Sequence, residues 1–205
     1  MRFLITAGPT REHFDPVRYL SNRSSGKMGY ALAEAAQKHG PVTLVSGPVS
    51  LAAPIGVEVV PVVSAAEMAE AVFARYEAAD VVIMAAAVCD FRPKQVAGHK
   101  LKKQAMNLSL ELEPTTDILA ELGRRKSRQV LVGFAVETDD LEKYAQDKLR
   151  RKNLDLIVAN EASAFDAETN VVTIFAADGT RERLPEMPKR DVAAAILERV
   201  LSRMR

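Results

Sequence analysis

Cysteine occurs once in this 205-residue chain, at Cys89, and tryptophan does not occur at all. A lone thiol cannot close an intramolecular disulfide, so the fold must rest on its packed core, and a reducing cytoplasm is the expected compartment. The three histidines, His13, His39 and His99, are too scattered to suggest a zinc site. No apolar run approaches the ~20 residues that span a bilayer. Met1-Arg2 leads straight into a short apolar stretch, without the pattern of a secretory leader. Excess charge is lacking too. The net charge of +1 implies neither broad nucleic-acid binding nor attraction to a membrane surface. Aromatics make up 5% of the chain against 48% hydrophobic residues, which favours a core of Val, Ala, Leu and Ile, as in parallel sheets covered by helices. With no internal repeat or low-complexity linker, the length suits one domain over residues 1–205.

What is present is organised around residues 3–40. Phe3-Leu4-Ile5 reads as a strand that stops at Thr6-Ala7-Gly8-Pro9-Thr10. After a long polar segment, Ser24-Ser25-Gly26 opens a helical pattern with Met28, Leu32 and Ala36 on one side, beside Gly29 and Ala33. Ser24 or Ser25 is the expected N-cap. Strand, Gly-containing loop and helix together offer free amides and a positive helix end to an anion. Further strands are expected at residues 42–45, 57–63, 81–87, 107–113, 129–136 and 154–159. A hairpin over 170–176 and 180–184 is expected to turn at Asp178-Gly179. Helices are expected from Ser64, from about Thr116, from Asp139-Asp140 to Lys152, and from about Pro188. The run Val81–Ala87 is the most apolar and belongs in the middle of a sheet. The alternation predicts an α/β, Rossmann-like doubly wound fold: a mostly parallel sheet, helices on both faces and a small β-extension.

The chemistry-bearing residues follow. Gly8, Gly26 and Gly29 do not have the G-x-G-x-x-G spacing, and no Walker A motif is present. Gly29 reads as a helix–sheet packing residue. Asn22, Ser24 and Ser25 lie on the loop after the first strand, where open α/β sheets bind ligands. Met84, Ala85, Ala86 and Ala87 would let a flat ring or a carbonyl approach the backbone, although dense packing accounts for them equally well. Asp90 could hold ribose hydroxyls or a metal, whose ligands stay unidentified. Lys100, Lys102 and Lys103 crowd a loop that could fold over a triphosphate. On the helix ending at Lys152, Leu141, Ala145 and Leu149 define the apolar arc. Lys148 and Lys152 project along that side, and an ammonium buried there without an anion costs several kcal/mol. There is no nucleophile elbow, no Cys–His pair and no evident general base, which suits a nucleophile that is already charged.

The segments ITAGPTREHFDPVRYLSNRSSGKMG, AAAVCDFRPKQ with the following KLKK, GFAVET and RKNLDLIVAN closely resemble the phosphopantothenoylcysteine synthetase (phosphopantothenate–cysteine ligase) family, over nearly the whole chain. In bacteria this is commonly the C-terminal half of a bifunctional coenzyme A biosynthesis protein. The resemblance implies a ligase that uses CTP, with Mg²⁺ as divalent cation, to activate 4′-phosphopantothenate as an acyl-cytidylate, releasing pyrophosphate. L-Cysteine then displaces CMP to give 4′-phosphopantothenoylcysteine. Carried over by position, Asn22 holds the acyl group and helps the cysteine step, and Arg18, Ser24, Ser25 and Ala87 surround phosphopantothenate. Met84, Ala85, Ala86, Asp90, Lys100, Thr116, Asp117, Ile118, Leu119, Phe134, Lys148 and Lys152 form the nucleotide pocket, with Lys100 on the triphosphate. Cys89 reads as a packing thiol. The family also implies a homodimer, with residues 107–113 and 170–184 as interface material, and a flavin-dependent decarboxylase as a fused domain or partner. That half has no counterpart in this chain. Two other readings fit the sequence less well: a dinucleotide-binding oxidoreductase, which lacks its fingerprint here, and a non-catalytic nucleotide-binding subunit.

Overall fold

The computed structural model describes residues 1–102, 109–137, 140–161 and 168–204. Lys103, Asn107, Leu108, Thr138 and Asp139, which figure in the sequence reading, lie outside the described residues. In chain order the elements are β1 (Phe3–Ala7), β2 (Arg11–His13), β3 (Tyr19–Ser21), α1 (Lys27–Ala36), β4 (Val42–Ser46), β5 (Glu58–Pro61), α2 (Ala65–Tyr76) and β6 (Val81–Met84). They continue with β7 (Phe91–Pro93), β8 (Leu112–Pro114), α3 (Ile118–Arg125), β9 (Val130–Glu137), α4 (Leu141–Arg151) and β10 (Leu156–Glu161). The last are β11 (Thr169–Asn170), β12 (Val172–Ala176), β13 (Arg181–Arg183), β14 (Met187–Pro188) and α5 (Lys189–Ser202).

Among the described residues, one sheet has the order β13-β12-β10-β9-β6-β1-β4-β5. Its strands from β10 to β5 run parallel, and β12 and β13 are antiparallel. The apolar run at Val81 is central, with β1 on one side and β9 on the other. Because side chains alternate across a strand, successive residues feed two cores. Phe3, Ile5, Ala7, Val81 and Ile83 pack under α1 and α5. Leu4, Val82, Met84, Leu131 and Ala135 pack under α2, α3 and α4. Helices therefore cover both faces, as a doubly wound fold requires.

Local chemistry explains the departures from expectation. Neither Ser24 nor Ser25 caps α1. The N-cap is Gly26 at φ 77°, a left-handed conformation that glycine adopts without strain, and Ser24 Oγ instead accepts from the Gly26 amide at 3.3 Å. Gly29 is a packing glycine as expected: a Cβ there would lie 2.5 Å from Ala7 Cβ and 2.8 Å from the Thr6 carbonyl. The polar segment after β1 is not a plain loop but the β2–β3 hairpin, pinned through buried Asp15. The Cys89–Gln104 region contributes β7, paired antiparallel with β8, so the strand expected over 107–113 is, among the described residues, only Leu112–Pro114. The central strand ends at Met84, not Ala87, because the hydroxyls of Thr6 and Thr10 take over its ladder (below). The Asp178-Gly179 turn joins β12 to β13 as expected, but Asn170 belongs to a separate ribbon, β11–β14.

Candidate functional site

Beyond β1 and β6 the two chain segments continue side by side. The Ala87 amide donates to the Gly8 carbonyl at 2.9 Å, and Thr10 N donates to the Ala87 carbonyl at 3.3 Å. Thr6 and Thr10 are fully buried, and each Oγ1 accepts a main-chain N–H, from Ala86 at 3.1 Å and from Cys89 at 2.9 Å. Residues 85–88 are thus held as a fixed floor at the carboxyl edge of the sheet, with small side chains on it. Asn22 leans onto this floor: its Nδ2 donates to the carbonyls of Val88 at 3.0 Å and Ala87 at 3.3 Å. Both donated bonds run to the protein, so the carboxamide oxygen is the end available to a ligand.

On the α1 side, no side chain caps the helix, so its first-turn amides are offered to whatever lies in front of them. On the opposite side, Thr115 is fixed by two bonds, its N to the Asp90 carbonyl at 2.9 Å and its Oγ1 to the Cys89 carbonyl at 2.6 Å. Asp117 caps α3 by accepting from Ala120 N at 3.0 Å, and it pairs with Lys152 at 2.8 Å. Partial desolvation raises the Asp117 pKa, but the Lys152 bond, the Ala120 amide and the charges of Lys152 and Lys148 outweigh it, so the carboxyl sits below its ordinary value. Lys148 Nζ donates to the Phe134 carbonyl at 2.8 Å. Both α4 lysines therefore point inward, along the apolar arc that buries Ala145 and Leu149.

These segments enclose one cavity of about 450 Å³ that crosses the carboxyl edge of the sheet from the α1/α5 face to the α3/α4 face. Its wall contains Asn22, Ser24, Ser25, Met84, Ala85, Ala86, Ala87 and Asp90. Thr116, Asp117, Ile118, Leu119, Phe134, Lys148 and Lys152 complete the set that the sequence picked out. Arg18 and Lys100 are not on this wall. Arg18 forks onto the buried Asp15 carboxylate (Nε 2.9 Å, Nη2 2.5 Å) and donates to the Leu101 carbonyl at 2.9 Å, which ties the β2–β3 hairpin to the loop carrying Lys100. Lys100 is exposed on that loop.

The cavity also contains residues that sequence reasoning missed: Arg23, Lys27, Val88, Thr115, Val136, Asn160, Asn170 and Lys189. Asn160 gave a usable signal, an amide ending the otherwise apolar strand LIVAN. Nothing in the sequence marks Lys189 as buried. Cys89, beneath the floor, is 5% exposed; burial raises its pKa, and Sγ lies 3.5 Å from the Thr10 carbonyl. It is a packing thiol, as expected. Among the described residues, no group of three or more His, Cys, Asp or Glu is arranged to hold a metal ion.

An open, mostly parallel sheet with helices on both faces and a cavity at its carboxyl edge defines a doubly wound α/β ligand-binding protein. The particular family follows from comparison: residues 1–204 match the DNA/pantothenate metabolism flavoprotein C-terminal domain, and the chain belongs to that family. It is 58% identical over 203 residues to the coenzyme A biosynthesis bifunctional protein CoaBC of Bacillus subtilis (strain 168), covering 96% of this chain and 50% of that one. The chain thus spans about half the length of such relatives. The crystal structure of the C-terminal domain of a CoaBC protein matches with TM-score 0.85 and 49% identity, covering 97% of this chain and 93% of that one. A Cab2 variant solved with phosphopantothenate-cysteine shares the fold, at TM-score 0.82 and 18% identity over 99% of this chain and 86% of that one.

Proposed function

We propose that residues 1–205 form one phosphopantothenate–cysteine ligase domain, acting in coenzyme A biosynthesis with CTP as the activating nucleotide. The observation that carries this reading is the layout of the cavity. An uncapped helix end lies on one face of the sheet, two inward lysines lie on the other, and Asn22 stands over the floor between them.

In this reading phosphopantothenate lies toward Ser24 and Ser25, and the nucleotide lies between Ala86, residues 116–119 and Phe134. The substrate carboxylate attacks the α-phosphate of CTP; a P–O bond forms and pyrophosphate leaves. No protein base is required, since the nucleophile is already ionised, so catalysis reduces to alignment and charge neutralisation. Lys148 and Lys152 supply that neutralisation, joined by Lys100 if its loop closes over the triphosphate. In the second step the amine of cysteine attacks the acyl carbonyl; a C–N bond forms and CMP leaves. Asn22 Oδ1 can accept from that amine and fix its approach. Mg²⁺, when bound, would supply further neutralisation of the phosphate charge, and Asp90, one of the two carboxylates on the wall with Asp117, is the residue that would hold it.

We also infer a homodimer. Tyr19, Phe91 and Leu112 expose apolar surface on the neighbouring ribbons β2–β3 and β7–β8, and Val96 does so on the loop after β7, which supports burial against a second copy there. The segment 170–184 has less to offer, because its apolar residues Val172, Ile174, Phe175 and Leu184 are already buried in the core. No helix among the described residues is long and apolar enough to cross a membrane. A cytoplasmic enzyme that works beside a flavin-dependent decarboxylase, fused or separate, completes the reading.

The test is an end-point assay with CTP, Mg²⁺ and 4′-phosphopantothenate, followed by cysteine. Pyrophosphate and then a new thiol product are expected. No pyrophosphate from either CTP or ATP rejects the ligase, and thermal stabilisation by NAD alone would point to an oxidoreductase instead.

A further inference from the structure

Thr10 is a fully buried polar side chain with no part in the chemistry proposed above, yet its bonds converge on Asn22. Asn22 is itself exposed, so packing does not set its rotamer. Its bonds to the carbonyls of Val88 and Ala87 do that instead. Two such bonds orient the carboxamide only as firmly as the carbonyls are themselves held.

Thr10 holds both. The peptide between Val88 and Cys89 is planar, so its carbonyl and its N–H turn together. That carbonyl accepts from Asn22 Nδ2 at 3.0 Å, while the N–H donates to Thr10 Oγ1 at 2.9 Å. The Ala87 carbonyl, the second acceptor for Asn22, also accepts from Thr10 N at 3.3 Å. From the other side, Ser21 Oγ donates to the Thr10 carbonyl at 2.8 Å. Ser21 ends β3 and immediately precedes Asn22, so this bond steadies the main chain from which Asn22 projects. The amide, hydroxyl and carbonyl of one buried residue therefore tie down Asn22 at its side chain and at its backbone.

We propose that Thr10 and Ser21 are positioning residues for the cysteine step: they hold the Asn22 carboxamide with its oxygen turned toward the incoming amine. This rests on the ligase reading above. Neither residue is on the cavity wall, so both act through Asn22. The first step relies on the α4 lysines and does not pass through them.

The experiment follows pyrophosphate release before cysteine is added and thiol product after it. The proteins are the wild type, Thr10→Val, Thr10→Ser, Ser21→Ala, Asn22→Ala and the double variant Thr10→Val with Asn22→Ala. Thr10→Val keeps the shape but leaves the buried Cys89 N–H unmatched, and a peptide that turns to relieve it carries the Val88 carbonyl away from Asn22. Product formation is expected to slow about tenfold or more in Thr10→Val and Ser21→Ala, while pyrophosphate release and KM for CTP stay within about twofold. Thr10→Ser keeps the acceptor and should recover most of the loss. The double variant should be no slower than Asn22→Ala, since positioning then has nothing to act on; a further loss of about tenfold overturns the proposal, as does equal slowing of both steps. The side-chain amide NMR signals of Asn22 should move and exchange faster with solvent in Thr10→Val and Ser21→Ala, and unchanged signals overturn the proposal whatever the rates. Should Thr10→Val not fold, Ser21→Ala decides by the same measurements. A wild type that makes no product at all fails the ligase reading itself, and the Asn22 signals then still judge whether Thr10 and Ser21 hold that side chain.

Discussion

Lys152, the residue that ends α4, places its Nζ 2.8 Å from the carboxylate of Asp117, the residue that caps α3. The ion pair joins two helices that both border the proposed nucleotide end, beside the bond from Asn153 Nδ2 to the Gly123 carbonyl at 3.0 Å. The Lys152 side chain is 16% exposed and that of Asp117 is 53%, so the pair is shielded on one side only, and its contribution to stability is about 1 kcal/mol or less. Lys152→Met is expected to change the denaturation midpoint little and to raise KM for CTP about tenfold. Steady-state kinetics at varied CTP check this, and an unchanged KM removes Lys152 from the nucleotide.

Asn22 donates both its bonds to the floor and leaves its oxygen for a ligand. Asn22→Ala should therefore leave CTP binding intact while slowing formation of the thiol product by about 10²-fold or more, the scale seen when one positioned polar group is lost. Pyrophosphate release and thiol product should be followed separately. A normal rate of product formation would remove Asn22 from the second step.

The Asp15–Arg18 contact makes a pH prediction. The Arg18 hydrogen bond holds the Asp15 carboxyl well below the ordinary carboxylate range; burial opposes it, and the amides of Val17, Arg18 and Leu101 assist. A depressed folded pKa gives stability that is present above the unfolded value, about 3.9, and is lost as pH falls toward the folded value. The gap in urea stability between wild type and Asp15→Asn is expected to hold constant near neutrality and to narrow steadily in acid. A gap that stays constant into strong acid would contradict this assignment.

Cys89 should be inert. Its burial keeps the thiol protonated near neutral pH, so a thiol reagent should label it only on unfolding, and Cys89→Ala should keep its activity at a cost of about 1 kcal/mol. Rapid labelling of the native protein would argue against this packing.

Gly29→Ala tests the approach of α1 to β1. The added methyl would meet Ala7 Cβ at 2.5 Å and main-chain oxygen at 2.8 Å, so the helix must move, at about 1–3 kcal/mol. A thermal melt reads that loss directly, and a wild-type melting temperature would show that α1 stands off the sheet.

The amino-acid sequence by itself determined the layers. Its alternating apolar runs set strand against helix, the unbroken run at Val81 fixed the centre of the sheet, and the absence of a second cysteine left packing as the means of holding it. It also marked Lys148 and Lys152, because helical periodicity is local and shows which side a cation shares with Ala145 and Leu149. What crosses between elements could be decided only by the tertiary structure. Asn170 and Lys189 are far from Ser24 in the chain and meet its cavity through the β11–β14 ribbon, whose pairing depends on main-chain bonds with no residue signature. Arg18 turned away to a carboxylate for the same reason: the competing partner, Asp15, is a burial effect of the β2–β3 hairpin, and burial belongs to the folded chain as a whole.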